Sequence, residues 1–241
     1  WKDNKIKKFV LFTDIDIFNK YLKKNKINIK IHKVNLFNNS IKFRANYFNV
    51  FTYKSYGKLD NSVKSLEYGF FECKKENFIG LLTLPLNKKL INYRVKKFKG
   101  HTEFFQNLDK KESSNMIFVY NNLIISTLTT HISIKNINSF LKKKNYIYDK
   151  ITSLNNSLTK DFGILKPRIL ISGINPHAGE SGLLGNEEQK ILLPEIKKLK
   201  LKGIKITGPV SADSMLHNNN IINYDCFLFI FHDQALIPFK Y

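Results

Sequence analysis

The chain has 241 residues, of which 43% are apolar, so it can bury a core, but no apolar run reaches the roughly 18 residues that a membrane helix needs. The short apolar run near the N-terminus is also insufficient for a signal peptide, and we expect a cytoplasmic protein with no membrane partner. The net charge is +21, yet only three of the 40 basic residues are arginine, so we expect attraction for phosphorylated anions but no specific binding of nucleic acid.

Short β-rich runs that end at polar positions recur along the chain. They cover residues 7–13, 78–84, 122–130, 167–174, 203–210 and 226–231. Residues 32–62 are polar and irregular, which predicts an excursion containing short strands. Nearly continuous apolar strands that alternate with helices predict an α/β fold with a buried, mostly parallel sheet.

Two stretches between these runs are predicted to be helical. The first covers residues 136–163 and ends at a glycine, which favours helix ends. The second covers residues 186–203, with Asn186 as a plausible N-cap and Glu188 suited to the positive end of the helix dipole. Pro194 interrupts the second stretch and predicts a kink or a break there.

The carboxyl ends of four predicted strands are followed by chemically capable side chains. These are His131, His177, Asp213 and His232. Ligands of parallel α/β sheets bind beyond the carboxyl ends of the strands, so we expect these side chains at one edge. Three imidazoles can hold a divalent metal and leave a position open for a substrate oxygen. A histidine at a strand end is also a common structural residue, so a metal site and a structural role both remain as interpretations. The histidines His32 and His217 lie in polar surroundings and are expected to be exposed.

Other candidate residues are less specific. Thr102 is expected to cap a helix that begins at Glu103, and free N–H groups there can hold an anion, with an ordinary helix cap as the alternative. Lys240 is either a phosphate-binding cation or a surface lysine. Cys73 and Cys226 match no metal-binding spacing and are expected to be reduced, buried thiols.

Five ordered motifs resemble the 4-hydroxythreonine-4-phosphate dehydrogenase family of vitamin B6 biosynthesis. They are GHTEFF (100–105), TTH (129–131), SGINPHAGESGLLGNEE (172–188), GPVSAD (208–213) and FHDQALIPFKY (231–241). The resemblance is recognisable from about Ile79 onward. It implies a homodimer of two-lobed α/β/α subunits related to isocitrate and isopropylmalate dehydrogenases. The expected lobes are 1–100 together with 235–241, and 101–234, which would bind metal and substrate.

The resemblance also implies a reaction and a set of site residues. NAD would oxidise 4-phosphooxy-L-threonine to the 3-oxo acid, which loses CO2 to give 3-amino-2-oxopropyl phosphate. One divalent ion (Zn, Mg or Co) would lie near the dimer interface. By motif, the metal ligands would be His131, His177 and His232, the substrate would meet His101, Thr102 and Lys240, and Asp213 and Asp233 would orient ligands or handle protons. The contacts to NAD are not assigned by these motifs.

The sequence departs from the family pattern in several places. It lacks the Gly/Pro-rich opening segment and stops before a Gly-, Asn- and Arg-bearing segment, so we expect an incomplete family unit. Residues 84–88 read LPLNK where the family commonly has GPVHK, and Leu183 stands where a histidine is frequent. An inactive, degraded homologue and a metal-dependent hydrolase or phosphatase that uses the same His/Asp edge are the alternatives.

Overall fold

The computed structural model describes residues 8–36, 41–76, 78–93, 95, 98, 100–111 and 113–240. The chain forms two compact units, Trp1–Lys110 and Lys111–Tyr241. The expected lobes stay a prediction; in this division the first unit runs ten residues beyond position 100, and residues 235–240 lie in the second unit. Phe98 and Phe104 share one apolar core of the first unit, and Ala235 is buried with Phe227 in the second.

The first unit contains a small parallel sheet with helices. Its strands are β1 (Leu11–Thr13), β2 (Ile31–Lys33) and β3 (Phe48–Thr52), in the order β1–β3–β2. Its helices are α1 (Ile15–Lys24), α2 (Lys58–Lys74), α3 (Lys88–Ile91) and α4 (His101–Leu108). The excursion at 32–62 contains strand β3, as predicted, but it also contains the start of α2, which was not predicted.

The strand predicted at residues 78–84 is not formed, and the described residues there are irregular. Leu81 packs against Gly69 of α2, whereas Ile79 is 95% and Leu82 is 91% exposed. Ile79 and Leu81 are two positions apart and would share a face in a strand, but one is exposed and the other is packed, so the segment does not have the two faces of a strand. A strand also needs a hydrogen-bonded neighbour, and none of the described strands pairs with this segment.

The second unit contains the main sheet. Its strands are β4 (Met116–Tyr120), β5 (Leu123–Thr127), β6 (Arg168–Ser172), β7 (Lys205–Val210) and β8 (Cys226–Phe229). Its helices are α5 (Ile137–Leu141), α6 (Tyr146–Lys160), α7 (Leu193–Leu201), α8 (Asn218–Asn223) and α9 (His232–Lys240). The order is β4–β5–β8–β6–β7, and only β4 runs antiparallel to its neighbour. The predicted α/β fold with mostly parallel strands is confirmed.

Apolar side chains cover both faces of this sheet. On one face, Ile169 and Ile171 of β6 pack with Leu154 of α6 and Leu199 of α7. On the other face, Leu170 packs with residues of β8 and α9. Because side chains alternate along a strand, consecutive apolar residues of β6 serve both cores, which explains its nearly continuous apolar sequence.

The two predicted helices are both interrupted. The stretch 136–163 forms α5 and α6, separated by Asn145 in a left-handed conformation (φ 58°). The stretch 186–203 begins with a π-helical turn at Glu188–Leu192 and continues as α7. Asn186 provides no side-chain cap for either segment, so that prediction was wrong. Pro194, in the first turn of α7, lacks an N–H and clashes with a regular helical carbonyl, so the change of helix type here is the predicted break.

Both cysteines are free thiols. Cys226 is fully buried in β8, as predicted, whereas Cys73 in α2 is only partly buried. Burial raises the pKa of both thiols. Across the described ranges, no helix is long and apolar enough to span a membrane.

Candidate active site

The parallel strands of the second unit bring four predicted site residues to one edge of the sheet. Strands β5, β8, β6 and β7 are consecutive neighbours that all run in one direction. Their carboxyl ends are followed by His131, His232, His177 and Asp213, respectively. The convergence that the sequence predicted therefore follows from the topology.

His131 and His232 are neighbours because their strands stay paired beyond the regular sheet. The backbone N–H and the hydroxyl of Thr129 both donate to the carbonyl of Ile230, at 2.9 and 2.8 Å. Two residues later, His131 adopts a left-handed conformation (φ 48°). The centroids of the His131 and His232 rings lie 5.8 Å apart.

His232 has a carboxylate at one ring nitrogen. Its Nδ1 lies 2.7 Å from Oδ1 of Asp233, and both side chains are solvent-accessible, at 39% and 71% exposure. In the neutral tautomer that donates from Nδ1, the lone pair is on Nε2. Asp233 therefore favours the form of His232 that can ligate a metal through Nε2.

The loop that carries His177 has an unusual backbone. Residues 177–181 all have positive φ, between 43° and 80°. Glu188, which is only 3% exposed, accepts hydrogen bonds from the N–H groups of Ile174 and Asn175, each at 2.8 Å. A Cβ atom added to Gly179 would lie 2.6 Å from Oε2 of Glu188. The loop thus closes around a buried carboxylate, and the glycines permit this approach.

Sequence reasoning missed this role of Glu188, which it assigned to the helix dipole. The spacing between Glu188 and the apolar residues that follow it could have indicated this role. Ile191 and Leu192, three and four residues later, are buried, so Glu188 occupies the buried face of the same helical segment. An acid at a position where the pattern requires an apolar residue indicates a specific polar role.

Asp213 lies at the end of β7 and is exposed. The hydroxyl of Ser211 donates to its Oδ1 at 2.6 Å. This hydrogen bond, with a contribution from the charge of nearby His177, holds the pKa of Asp213 below its ordinary value. An open concavity of about 490 Å3 is lined by Asp213, Leu216, His217, Asn218 and Asn219. His217 is exposed, as predicted.

His101 and Thr102 belong to the first unit. Helix α4 begins at His101 with Gly100 at its N-cap, and Thr102 makes no capping hydrogen bond. The predicted cap was wrong because the helix starts two residues earlier than expected. Nε2 of His101 is buried without a hydrogen-bond partner among the described residues. Burial, and then the charge of Lys88, lower the pKa of His101.

The structure contradicts the prediction for His32, and it places Lys240 at the end of a helix. His32 was expected to be exposed, but it lies half-buried in β2 with its Nδ1 atom buried. Its position within a sheet strand explains the burial. Lys240 is exposed at the last position of α9, eight residues and about 12 Å of helix from His232.

The donor chemistry fits a divalent metal only in part. Neutral imidazoles suit Zn or Co, and His131 and His232 face one another closely enough to be part of one ligand set. Within the described part of a single chain, however, no three His, Cys, Asp or Glu side chains are grouped so that they can hold a metal ion. His177, the third expected ligand, does not complete the pair.

Residues 5–241 match the family described as pyridoxal phosphate biosynthetic protein PdxA. The chain belongs to this family. The resemblance inferred from five motifs is therefore confirmed, and the match begins well before Ile79, from which the motifs make it recognisable.

Curated relatives carry the enzyme name that the motifs suggested. The 4-hydroxythreonine-4-phosphate dehydrogenase of Bacteroides thetaiotaomicron is 36% identical over 185 residues, which cover 76% of this chain and 49% of the relative. That of Sulfurihydrogenibium sp. is 34% identical over 210 residues, which cover 87% and 62%. This PdxA chain thus spans about half to three fifths of the length of these relatives.

A solved structure supports the fold. The crystal structure of 4-hydroxythreonine-4-phosphate dehydrogenase from Klebsiella pneumoniae superposes with a TM-score of 0.84 at 24% identity. The alignment covers 96% of this chain and 74% of that structure. The fold of this PdxA chain is therefore that of the enzyme family over almost all of its length.

Proposed function

We propose that this chain acts in the oxidation of 4-phosphooxy-L-threonine, the substrate that the names of its relatives give, with NAD as the hydride acceptor. The main support is the arrangement of the second unit, in which parallel strands of a PdxA-family chain carry His131, His177, His232 and Asp213 to one edge. The chain's positive charge favours a phosphorylated substrate. We also propose a cytoplasmic location.

The chemistry requires two linked steps. Bound NAD would accept the hydrogen on C3 of the substrate as hydride while the C3 hydroxyl loses its proton, which would give the 3-oxo acid. The bond to the carboxylate then breaks, CO2 leaves, and protonation gives 3-amino-2-oxopropyl phosphate. A divalent metal, when bound, would polarise the substrate oxygen that is alkoxide-like in the first step and enolate-like in the second.

Each candidate residue of this chain would have one of three roles: to bind the metal, to transfer a proton or orient a ligand, or to bind the substrate. His131, His177 and His232 would hold the metal, and Asp233 would keep Nε2 of His232 free for it. Asp213, whose lowered pKa keeps it ionised, would orient a ligand or accept a proton. His101, Thr102 and Lys240 would contact the substrate, with Lys240 directed to its phosphate.

We propose that the active form is a homodimer with the site near the interface. A single chain does not group three metal-binding side chains within its described residues. An assembly of two copies, in which the site is completed on association, accounts for this incomplete set. It also predicts that metal affinity depends on protein concentration, because dimers form by mass action.

The direct test is a turnover assay. The protein encoded by the natural reading frame is mixed with Zn, Mg or Co, NAD and 4-phosphooxy-L-threonine, and reduced nicotinamide is followed by its absorbance. We expect turnover that His177→Ala reduces by about 100-fold or more, with Lys197→Ala, at an exposed position of α7, as the control. Full activity of the His177→Ala variant, or no turnover by the unmodified protein, contradicts the proposal. Phosphate release without nicotinamide would instead support the hydrolase alternative.

A further inference from the structure

We propose that Glu188 and Gln234 are positioning residues that fix the His177 loop to the His232 segment by holding the backbone of residues 173–175 between them. The functional consequence rests on the proposed metal site. The geometry itself stands on contacts within the second unit. Neither residue is among the predicted ligands, acids or bases.

Glu188, at the start of the π-helical turn that precedes α7, holds this backbone from one side. Its Oε1 accepts the N–H groups of Ile174 and Asn175, and its Oε2 accepts the side-chain amide of Asn175 at 3.0 Å. A carboxylate with 3% exposure is costly to bury unless its oxygens are satisfied. These three donors satisfy it, so the segment and the carboxylate stabilise one another.

Gln234 holds the same backbone from the side of α9. Its Nε2 donates to the carbonyl of Gly173 at 3.1 Å. Its Oε1 accepts the N–H of Ile230 at 3.1 Å, and the N–H of Phe231 is 3.4 Å away. One amide group therefore connects the end of β6 with the residues that directly precede His232.

The two side chains act on adjacent peptide groups. Gln234 binds the carbonyl of Gly173, and Glu188 binds the next two N–H groups along the chain. Two residues after this segment, His177 enters the left-handed run, in which each non-glycine residue is strained. Such strain persists only where the surroundings fix the backbone, and these hydrogen bonds provide that restraint.

A Cβ atom on Gly173 would lie 2.7 Å from Cα of Ala178 and 3.1 Å from Oε1 of Glu188. The start of the left-handed run is therefore packed directly on the segment that Glu188 and Gln234 hold. A displacement of residues 173–175 must consequently move His177. Because Gln234 is anchored beside His232, the same displacement changes the position of His177 relative to His232.

The test uses three variants of the chain and two measurements. The variants are Glu188→Gln, Gln234→Met and, as a control, Glu195→Gln. Glu195 lies in α7 and pairs with Lys198 at the surface, so its substitution removes an equal charge without touching the loop. Amide hydrogen exchange reports how firmly the backbone is held at Ile174 and Asn175. The imidazole NMR signals report the environments of His177 and His232. Titration with Co(II) reports the metal site.

We expect Glu188→Gln and Gln234→Met each to accelerate exchange at Ile174 and Asn175 by at least about 10-fold and to shift the imidazole signals of both histidines. Cobalt affinity should fall by about 10- to 100-fold, as for other residues that orient metal ligands. The Glu195→Gln control should match the unmodified chain in each measurement. If Glu188→Gln does not fold, Gln234→Met alone must give these results.

The possible failures are distinguishable. Unchanged amide exchange, or a shift of the His177 signals without the His232 signals, overturns the positioning role even if the metal binds. Unchanged cobalt affinity in a variant with altered exchange also overturns it, because the contacts are then structural only. If the unmodified chain binds no cobalt, the proposed metal function fails, while the NMR signals still decide whether Glu188 and Gln234 couple the two histidines.

Discussion

The imidazole rings of His131 and His232, 101 residues apart in sequence, lie with their centroids 5.8 Å from one another. Direct pairing of β5 with β8 produces this proximity, and Thr129 extends that pairing past the last regular residue of each strand. The relationship is thus a property of the sheet and not of a flexible loop. His131 follows this pairing by two residues and His232 begins α9, so regular elements adjoin both site residues and position them.

Asp233→Asn tests whether the carboxylate orients His232. The amide side chain keeps the size of the residue but accepts a hydrogen bond less strongly, so the tautomer with a free Nε2 loses its preference. We expect Co(II) or Zn(II) affinity to fall by about 10-fold or more, with little change in the free energy of unfolding because Asp233 is 71% exposed. Calorimetric titration measures the affinity, and Asp161→Asn, at an exposed aspartate after α6, is the control. Equal affinities in the two variants would exclude the orienting role.

Gly179→Ala tests the close packing of the loop on Glu188. Gly179 and Gly163 both have positive φ, at 80° and 72°, but only Gly179 has atoms near the position of an added Cβ. Gly163→Ala should therefore cost about 1–2 kcal/mol from the left-handed backbone alone. Gly179→Ala should cost about 1–3 kcal/mol more because of overpacking. Urea unfolding of both variants measures the difference, and equal losses would show that the contact with Glu188 is unimportant.

His101 makes the stability of the first unit depend on pH. Burial and the charge of Lys88 lower its pKa in the folded chain, whereas the unfolded chain retains a value of about 6.5. As the pH falls below this value, the unfolded state binds a proton more readily, so the free energy of unfolding should decrease. His101→Phe keeps a ring between Phe98 and Phe105 and removes the titration. Urea unfolding between pH 7.5 and pH 5 should show a flatter dependence in the variant, and parallel curves would refute this assignment.

The sequence was sufficient to predict the sheet that carries the site. Strands β5 to β8 are apolar runs of strand length bounded by polar or glycine residues, and their parallel arrangement follows from the alternation with helices. The parallel arrangement alone was enough to predict that His131, His177, Asp213 and His232 lie at one edge of the sheet. The apolar pattern of each strand is therefore consistent with its position in the sheet, as expected where both faces of a sheet are buried.

Other features depend on partners that are distant in sequence. Residues 78–84 are a short β-rich run, but strand formation requires a neighbour, which a local pattern does not reveal. Glu188 lies in a sequence typical of a helix start, and only the loop that folds back over it reveals its hydrogen bonds. The placement of His177 relative to the other histidines depends likewise on the left-handed run at 177–181, in which the sequence supplies a glycine only at 179.

Substitution of Thr127 and of Thr129 by valine is expected to have different effects on the free energy of unfolding. Both are buried beside the strand pair that positions His131. The hydroxyl of Thr129 donates to Ile230, whereas that of Thr127 has no hydrogen-bond partner within the described ranges. Thr129→Val should lower the free energy of unfolding by about 0.5–1.5 kcal/mol, because a hydrogen bond is lost.

Thr127→Val should instead leave the free energy of unfolding unchanged or raise it by about 1 kcal/mol, because a buried, unsatisfied hydroxyl is replaced by a methyl group of the same shape. Thermal and urea unfolding of the two variants provide the comparison. A loss of similar size in both would mean that the hydroxyl of Thr127 is hydrogen-bonded in solution. A loss confined to Thr129→Val, accompanied by weaker metal binding, would show that the extended pairing of β5 and β8 holds His131 in place.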